Sequence, residues 1–192
     1  MKNIKNKIFF VSILIFFVFW TFFIYKFSPE KIIEMVGLNN SYLVVLFVSF
    51  LGGVSIIFPL PYYLFVMTFA AGGSNPFILG IFAGVGLTLG DSTSYLFGFH
   101  GGEIIPQKYQ KNFEKILKKF ISYPKYLRAL LIFIWGSIVP LPSDILTIPM
   151  GILKYPYKKL IIPLGLGHMV FNTILAVSGY YGINFILNLF GA

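Results

Sequence analysis

Asp91, Asp144 and His168 are embedded in long apolar stretches of this 192-residue sequence, where an ionisable side chain is unexpected. Placing such a group in hydrocarbon costs about 2.5 kcal/mol or more, so each is a candidate for function by default. Each also has a plainer reading. Asp144 follows Pro140-Leu141-Pro142 and could bind cargo or a proton, or could cap the helix that resumes there. Asp91 opens the polar patch Asp91-Ser92-Thr93-Ser94, one turn before Tyr95, and suits transport chemistry or hydrogen bonding between helices. His168 lies one turn before Asn172 and could handle a proton or headgroup, or pack with a hydrogen bond. Together Asp91, Asp144, His168 and Asn172 could form a polar path for a headgroup if the fold brings them together.

Covalent chemistry finds no support. The sequence has no cysteine, and no HExxH, GxSxG or paired-carboxylate motif, so no enzyme activity, metal or cofactor is expected. Gly84, Gly86 and Gly90 are spaced GxGxxxG and lack the third glycine of a dinucleotide fingerprint; helix packing accounts for them better.

Hydrophobic residues make up 57 % of the chain, and 19 glycines raise the apolar share to roughly two-thirds, against about 45–50 % in soluble domains. Charged residues are 11 %, against about 25 %. Residues 35–90 carry no formal charge; as one straight helix they would span about 84 Å, nearly three times the ~30 Å hydrocarbon core of a bilayer. An all-α integral membrane protein that turns within or beside the bilayer is expected. Its net charge of +9 then reflects a membrane surface, and no nucleic-acid partner is expected.

The cations set the topology. Lys2, Lys5 and Lys7 precede an apolar run, Ile8 to Tyr25, that lacks a small-residue cleavage site and reads as an anchor with a cytoplasmic N-terminus. Residues 42–73 and 129–153 are short for two spans each, and Pro59-Leu60-Pro61 and Pro140-Leu141-Pro142 break them centrally; each reads as a re-entrant hairpin, with 76–99 crossing between them. This arrangement leaves thirteen of the fifteen cations inside. Residues 108–121 place apolar side chains at helical spacing, with Lys108, Lys111, Lys115, Lys118 and Lys119 on other faces; this is an amphipathic surface helix ended by Pro124. With Arg128 it would anchor on anionic headgroups or gather them.

One interval recurs. Pro59 and Pro140, Pro61 and Pro142, Gly84 and Gly165, Gly86 and Gly167, Gly98 and Gly179, and Gly101 and Gly182 are each 81 residues apart, as are Asp91 and Asn172. Residues 42–101 and 123–182 therefore read as two copies of one unit. A hairpin plus one crossing reverses the starting face, which makes an inverted-repeat bundle with two re-entrant helical hairpins. Residues 1–34 form the anchor and a short outer loop, and 35–192 the transport domain.

Phe58-Pro59-Leu60-Pro61, Gly84-x-Gly86-x-x-x-Gly90-Asp91-x-x-x-Tyr95-x-x-Gly98 and Pro140-Leu141-Pro142-Ser143-Asp144 with Gly151 resemble the DedA family, also called the VTT or SNARE-associated Golgi protein domain, over residues 40–182 or so. The resemblance implies facing re-entrant loops and lipid movement across a membrane: polyprenyl-phosphate recycling in prokaryotes, phospholipid scrambling in eukaryotic relatives, and proton coupling in some members. Tyr62-Tyr63 stands where better-studied bacterial members carry an acid, and Ser137 and Ser143 where they tend to carry arginines. Tyr63 and Tyr95 join the candidate path on this basis. The expected protein is a transporter or scramblase of lipid-linked phosphate or phospholipid in a prokaryotic plasma membrane, with membrane lipids as partners and a homo-oligomer as one allowed assembly. A non-transporting scaffold and a small-solute or ion exporter are the alternatives.

Overall fold

The computed structural model describes residues 29–54, 61–101, 118–138 and 142–190. The expected anchor at 8–25, Pro59, Pro140 and residues 108–117 with Lys111 and Lys115 lie outside them. The described residues are helical throughout, joined by turns: α1 (Pro29–Val36), α2 (Leu38–Gly53), α3 (Tyr62–Ala71), α4 (Pro76–Gly101), α5 (Lys125–Ile138), α6 (Asp144–Ile152) and α7 (Tyr157–Phe190). Residues 118–121 are also helical, in register with the expected surface helix.

Length separates two classes. α4 has 26 residues and spans about 39 Å, and α4 and α7 are both long and apolar enough to cross a membrane. α2, with 16 residues, reaches about 24 Å, and α3, with 10, about 15 Å, each short of the ~30 Å hydrocarbon core. α1 falls in the stretch read as a short outer loop. It buries Ile32 and Ile33, then turns 93° into α2 at Gly37, whose φ is 84°.

Local chemistry fixes the boundaries. Asn75 Oδ1 accepts the Phe77 and Ile78 N–H groups at 2.9 and 3.3 Å, a side-chain cap that starts α4, while Pro76 supplies a first-turn φ without needing a donor. α3 and α6 end in one and the same way. Ser74 N–H bonds to Phe69 O and Gly73 N–H to Ala70 O, both at 3.1 Å; Tyr155 N–H bonds to Met150 O and Lys154 N–H to Gly151 O, both at 2.9 Å. Each is the paired closure of a helix C-terminus by a left-handed residue. Every residue of one closure is 81 positions from its counterpart in the other.

Where the ends meet sets the direction of each helix. Ser41 and Ser74 hydroxyls lie 2.9 Å apart and Asn75 N–H donates to Tyr42 Oη at 3.1 Å, so α2 starts where α3 finishes. At the opposite end Phe120 packs edge-on against Tyr155, with centroids 5.9 Å apart, bringing the approach to α5 beside the turn between α6 and α7. One apolar core, containing Val45, Val66, Phe69 and Ala176, fills the first end; a second, with Tyr95, Ile132, Met150 and Leu164, fills the other.

α4 and α7 cross antiparallel through small residues. A Cβ on Gly84 would lie 2.6 Å from Met169 N, and one on Gly165 would lie 2.8 Å from Thr88 Oγ1. α6 packs on α4 where Gly98 meets Ile148 O, and α3 packs on α7 where a Cβ on Gly179 would lie 2.6 Å from Met67 O. Shifting each residue of the Gly98–Ile148 contact by 81 gives the Gly179–Met67 contact, and the Gly84–Met169 and Gly165–Thr88 contacts interchange likewise. Backbone stands against Gly98 and Gly179, so a larger residue there cannot be absorbed by a rotamer change. Gly98→Val and Gly179→Val are expected to destabilise by similar amounts, about 1–3 kcal/mol each, checked by unfolding midpoints of the full chain in detergent.

Candidate functional site

The Asp91 carboxylate lies more than halfway along α4 and is 1 % exposed. It survives there because α7 supplies a donor. His168 Nε2 donates to Asp91 Oδ2 at 2.7 Å, and His168 is itself 6 % exposed. With Asp91 ionised the shared proton lies on Nε2; with Asp91 protonated the same contact runs from its hydroxyl to Nε2. A charge-assisted bond of this length offsets part of the desolvation that burial imposes on both groups.

The start of α6 closes the other side. Ser143 holds the N-cap position but makes no side-chain cap. Its Oγ lies 3.4 Å from His168 Nε2 and within reach of Asp91. The first turn of α6 is held instead by its carbonyl, which accepts Leu146 and Thr147 N–H at 2.8 Å. Asp144 is thus the first helical residue and not the cap; its charge acts on Asp91 while the positive end of the α6 dipole favours it.

Asn172 lies one turn beyond His168 and is fully buried; its Nδ2 donates to His168 O at 2.8 Å. Among the described residues its buried Oδ1 has no hydrogen-bond partner. Beside this amide stands Tyr62, the first residue of α3, and the Asp91 charge is felt there too. Asp91, Asp144, His168 and Asn172 therefore converge, at a place where the short helices α3 and α6 both begin. The arrangement can hold a proton between carboxylate and imidazole, and it lies at two helix N-termini, whose dipoles favour an anion.

Two candidates sit elsewhere. Tyr95 donates its hydroxyl to Tyr155 O at 2.6 Å and so ties α4 to the turn after α6, away from the acid. Tyr63 is half-buried and meets the cluster through the ring of Tyr62, with centroids 6.0 Å apart. Pro61 and Pro142 directly precede α3 and the first turn of α6, as breaks should. Lys118, Lys119 and the partly buried Arg128 lie at the α7-start end, remote from the cluster.

Ser143 and Tyr62 were not among the expected path residues, although a signal for them existed. They are 81 apart, as are their partners Asp91 and Asn172. Applying the interval that relates Asp91 to Asn172 to the residues just after the proline motifs as well would have matched Tyr62 with Ser143 and marked both.

Breaking one partner of a buried pair costs more than removing both. His168→Ala is expected to lower stability by about 3–5 kcal/mol, because Asp91 then lies buried without its donor, and adding Asp91→Asn should restore part of the loss. A double-mutant cycle on detergent unfolding checks the sign of the coupling.

The family model of the VTT domain matches residues 58–181, from the first proline break to the last turn before Gly182. Nothing among the curated proteins or the solved structures matches the chain. The matched segment contains the whole Asp91, His168, Ser143 and Asn172 cluster and both short helices that open onto it, and over that span this chain belongs to the VTT domain family.

Proposed function

We propose that the protein moves a lipid-linked phosphate or a phospholipid between membrane leaflets, with the Asp91–His168 pair exchanging a proton as cargo passes. The observation that carries this reading is a buried, hydrogen-bonded acid and imidazole at the point where two short helices start. A structural role alone would be served as well by apolar residues of similar volume, whereas a translocation path needs a polar interior sheltered from lipid.

In this reading α2 with α3, and α5 with α6, are re-entrant hairpins entering from opposite faces, related as an inverted repeat. Supporting it are the short helices, the shared end of α2 and α3, the two matching helix closures, and the contacts that interchange on a shift of 81. Irregular backbone at membrane depth is tolerated where it is covered by protein or lines a wet cavity, and inverted repeats place cargo sites at such breaks. The N-termini of α3 and α6 would face a phosphate with partial positive charge, in the absence of arginines at Ser137 and Ser143.

Charge orients the body. Among the described cations, all but Lys31 lie at the end where α7 starts: Lys118, Lys119, Lys125, Arg128, Lys154, Lys158 and Lys159. The excess of positive charge supports a cytoplasmic position for that end, in our reading on a prokaryotic plasma membrane. The protein works without enzyme chemistry, and its partners are membrane lipids.

In liposomes holding labelled polyprenyl phosphate or phospholipid, the full chain is expected to accelerate leaflet exchange under a proton gradient. Asp91→Asn should slow it about tenfold or more, a loss of at least ~1.4 kcal/mol of barrier lowering, and Tyr62→Phe should cost more than Tyr63→Phe. Exchange no faster than in empty vesicles, under any gradient, rejects the reading; full cellular function in Asp91→Asn and Asp144→Asn would favour a scaffold.

A further inference from the structure

Lys154 adopts φ 52°, the one positive φ outside glycine among the described residues. It occupies the left-handed position that closes α6, and the corresponding position in the closure of α3, 81 residues earlier, is Gly73 with φ 101°. Glycine takes this conformation freely and is the usual choice there; a residue with a Cβ carries a conformational penalty. The α3 closure shows that glycine suffices for the turn. Lysine at 154 therefore needs a reason in its side chain.

That side chain is exposed, and its Nζ lies 5.6 Å from the centroid of the Phe99 ring. Phe99 stacks on Tyr95, which meets Tyr157 at 5.3 Å between centroids, and the Tyr157 hydroxyl pairs with Ser92 Oγ at 2.7 Å on the exposed face of α4. Among the described residues no Asp or Glu lies at this end to neutralise the lysine: Glu30 and Glu34 belong to α1 at the other end, and Asp91 and Asp144 to the buried cluster. An ammonium held over an aromatic ring, next to a cluster of tyrosine rings at one end of a spanning helix, matches the headgroup level, where aromatic residues and lysines meet lipid phosphates.

We propose that Lys154, held beside the ring of Phe99, docks the phosphate of an anionic lipid headgroup at the lysine-rich end of the bundle. The site is separate from the Asp91 cluster and does not depend on transport. Its ligand chemistry is a phosphate monoanion presented by a lipid, with lysine as the point charge. Phe99 holds the ammonium in place between docking events.

The conformational argument supplies an unusually clean variant. Lys154→Gly removes the charge yet relieves the backbone, so docking and stability should move in opposite directions. Full-length protein in detergent is titrated with phosphatidylglycerol, phosphatidylcholine or inorganic phosphate, and bound ligand is counted by native mass spectrometry alongside the unfolding midpoint. The wild type is expected to prefer phosphatidylglycerol; Lys154→Gly and Lys154→Asn should weaken that binding about fivefold, with the lipid-free midpoint of Lys154→Gly equal to or above wild type, and Lys154→Arg should retain it. Unchanged phosphatidylglycerol binding in Lys154→Gly overturns the proposal. So does a lowered midpoint in that variant, which would make the lysine a structural residue, and so does inorganic phosphate binding as tightly as the lipid.

Discussion

A helix that stops among acyl chains leaves its last carbonyls or first amides without partners, and no water is there to supply them. This constraint governs the design of the chain. α2, α3, α5 and α6 are each too short to cross a bilayer alone, and on the re-entrant reading proposed above their inner ends need protein around them. α4 and α7 provide it. Their surfaces are cut back to glycine where the short helices approach: a Cβ on Gly90 would lie 2.6 Å from Gly53, and one on Gly167 would lie 3.0 Å from Gly136. The glycines that suggest a nucleotide loop by sequence are the sites where one backbone lies directly upon another.

The same constraint explains why polar residues collect where they do. Ser143 at the start of α6 and Tyr62 at the start of α3 sit at helix beginnings, where the backbone already presents unpaired donors and tolerates polar neighbours. Ser143 could have capped its own helix. Its hydroxyl instead turns to His168 and Asp91, and the helix start makes do with the backbone carbonyl. A local bond has been exchanged for a long-range one, which ties the break to the long helices rather than to itself.

How much of this could be read from sequence depends on the kind of signal. Asp91, Asp144 and His168 stand out because charge is rare in 192 largely apolar residues, and their convergence with Asn172 follows the repeat interval. α4 at Pro76–Gly101 was legible from the uncharged run and matches the expected crossing at 76–99. Tyr95 misleads because it shares a helical face with Asp91 while its hydroxyl, at the far end of a long side chain, reaches the Tyr155 carbonyl. Ser143 and Tyr62 were hidden by composition: serine and tyrosine raise no alarm in such a chain, and their importance comes from helix starts that only tertiary packing locates. The two-turn α1 escaped notice because four charges among Lys26–Glu34 resemble a loop, although Ile32 and Ile33 are buried beneath it.

The two halves are alike in packing but not in charge. Asp91 corresponds to Asn172 and Ser143 to Tyr62, so each half pairs a residue on its long helix with the first turn of the other half's short helix; His168, however, corresponds to Leu87, and Asp144 to Tyr63. The carboxylates and the imidazole thus all gather around Asp91 and the start of α6, while the matching positions beside Asn172 and Tyr62 are Leu87 and Tyr63. In a device working by exchange between two similar halves, the gradients set the net direction, while a difference between the halves sets which of the two arrangements a bound proton favours. A proton binding only one pocket biases the equilibrium by its differential affinity for the two arrangements. On the transport reading, the substitution of an amide for a carboxylate at Asn172 is therefore as consequential as the retention of Asp91, because it leaves the fold symmetric while making its response to protons one-sided.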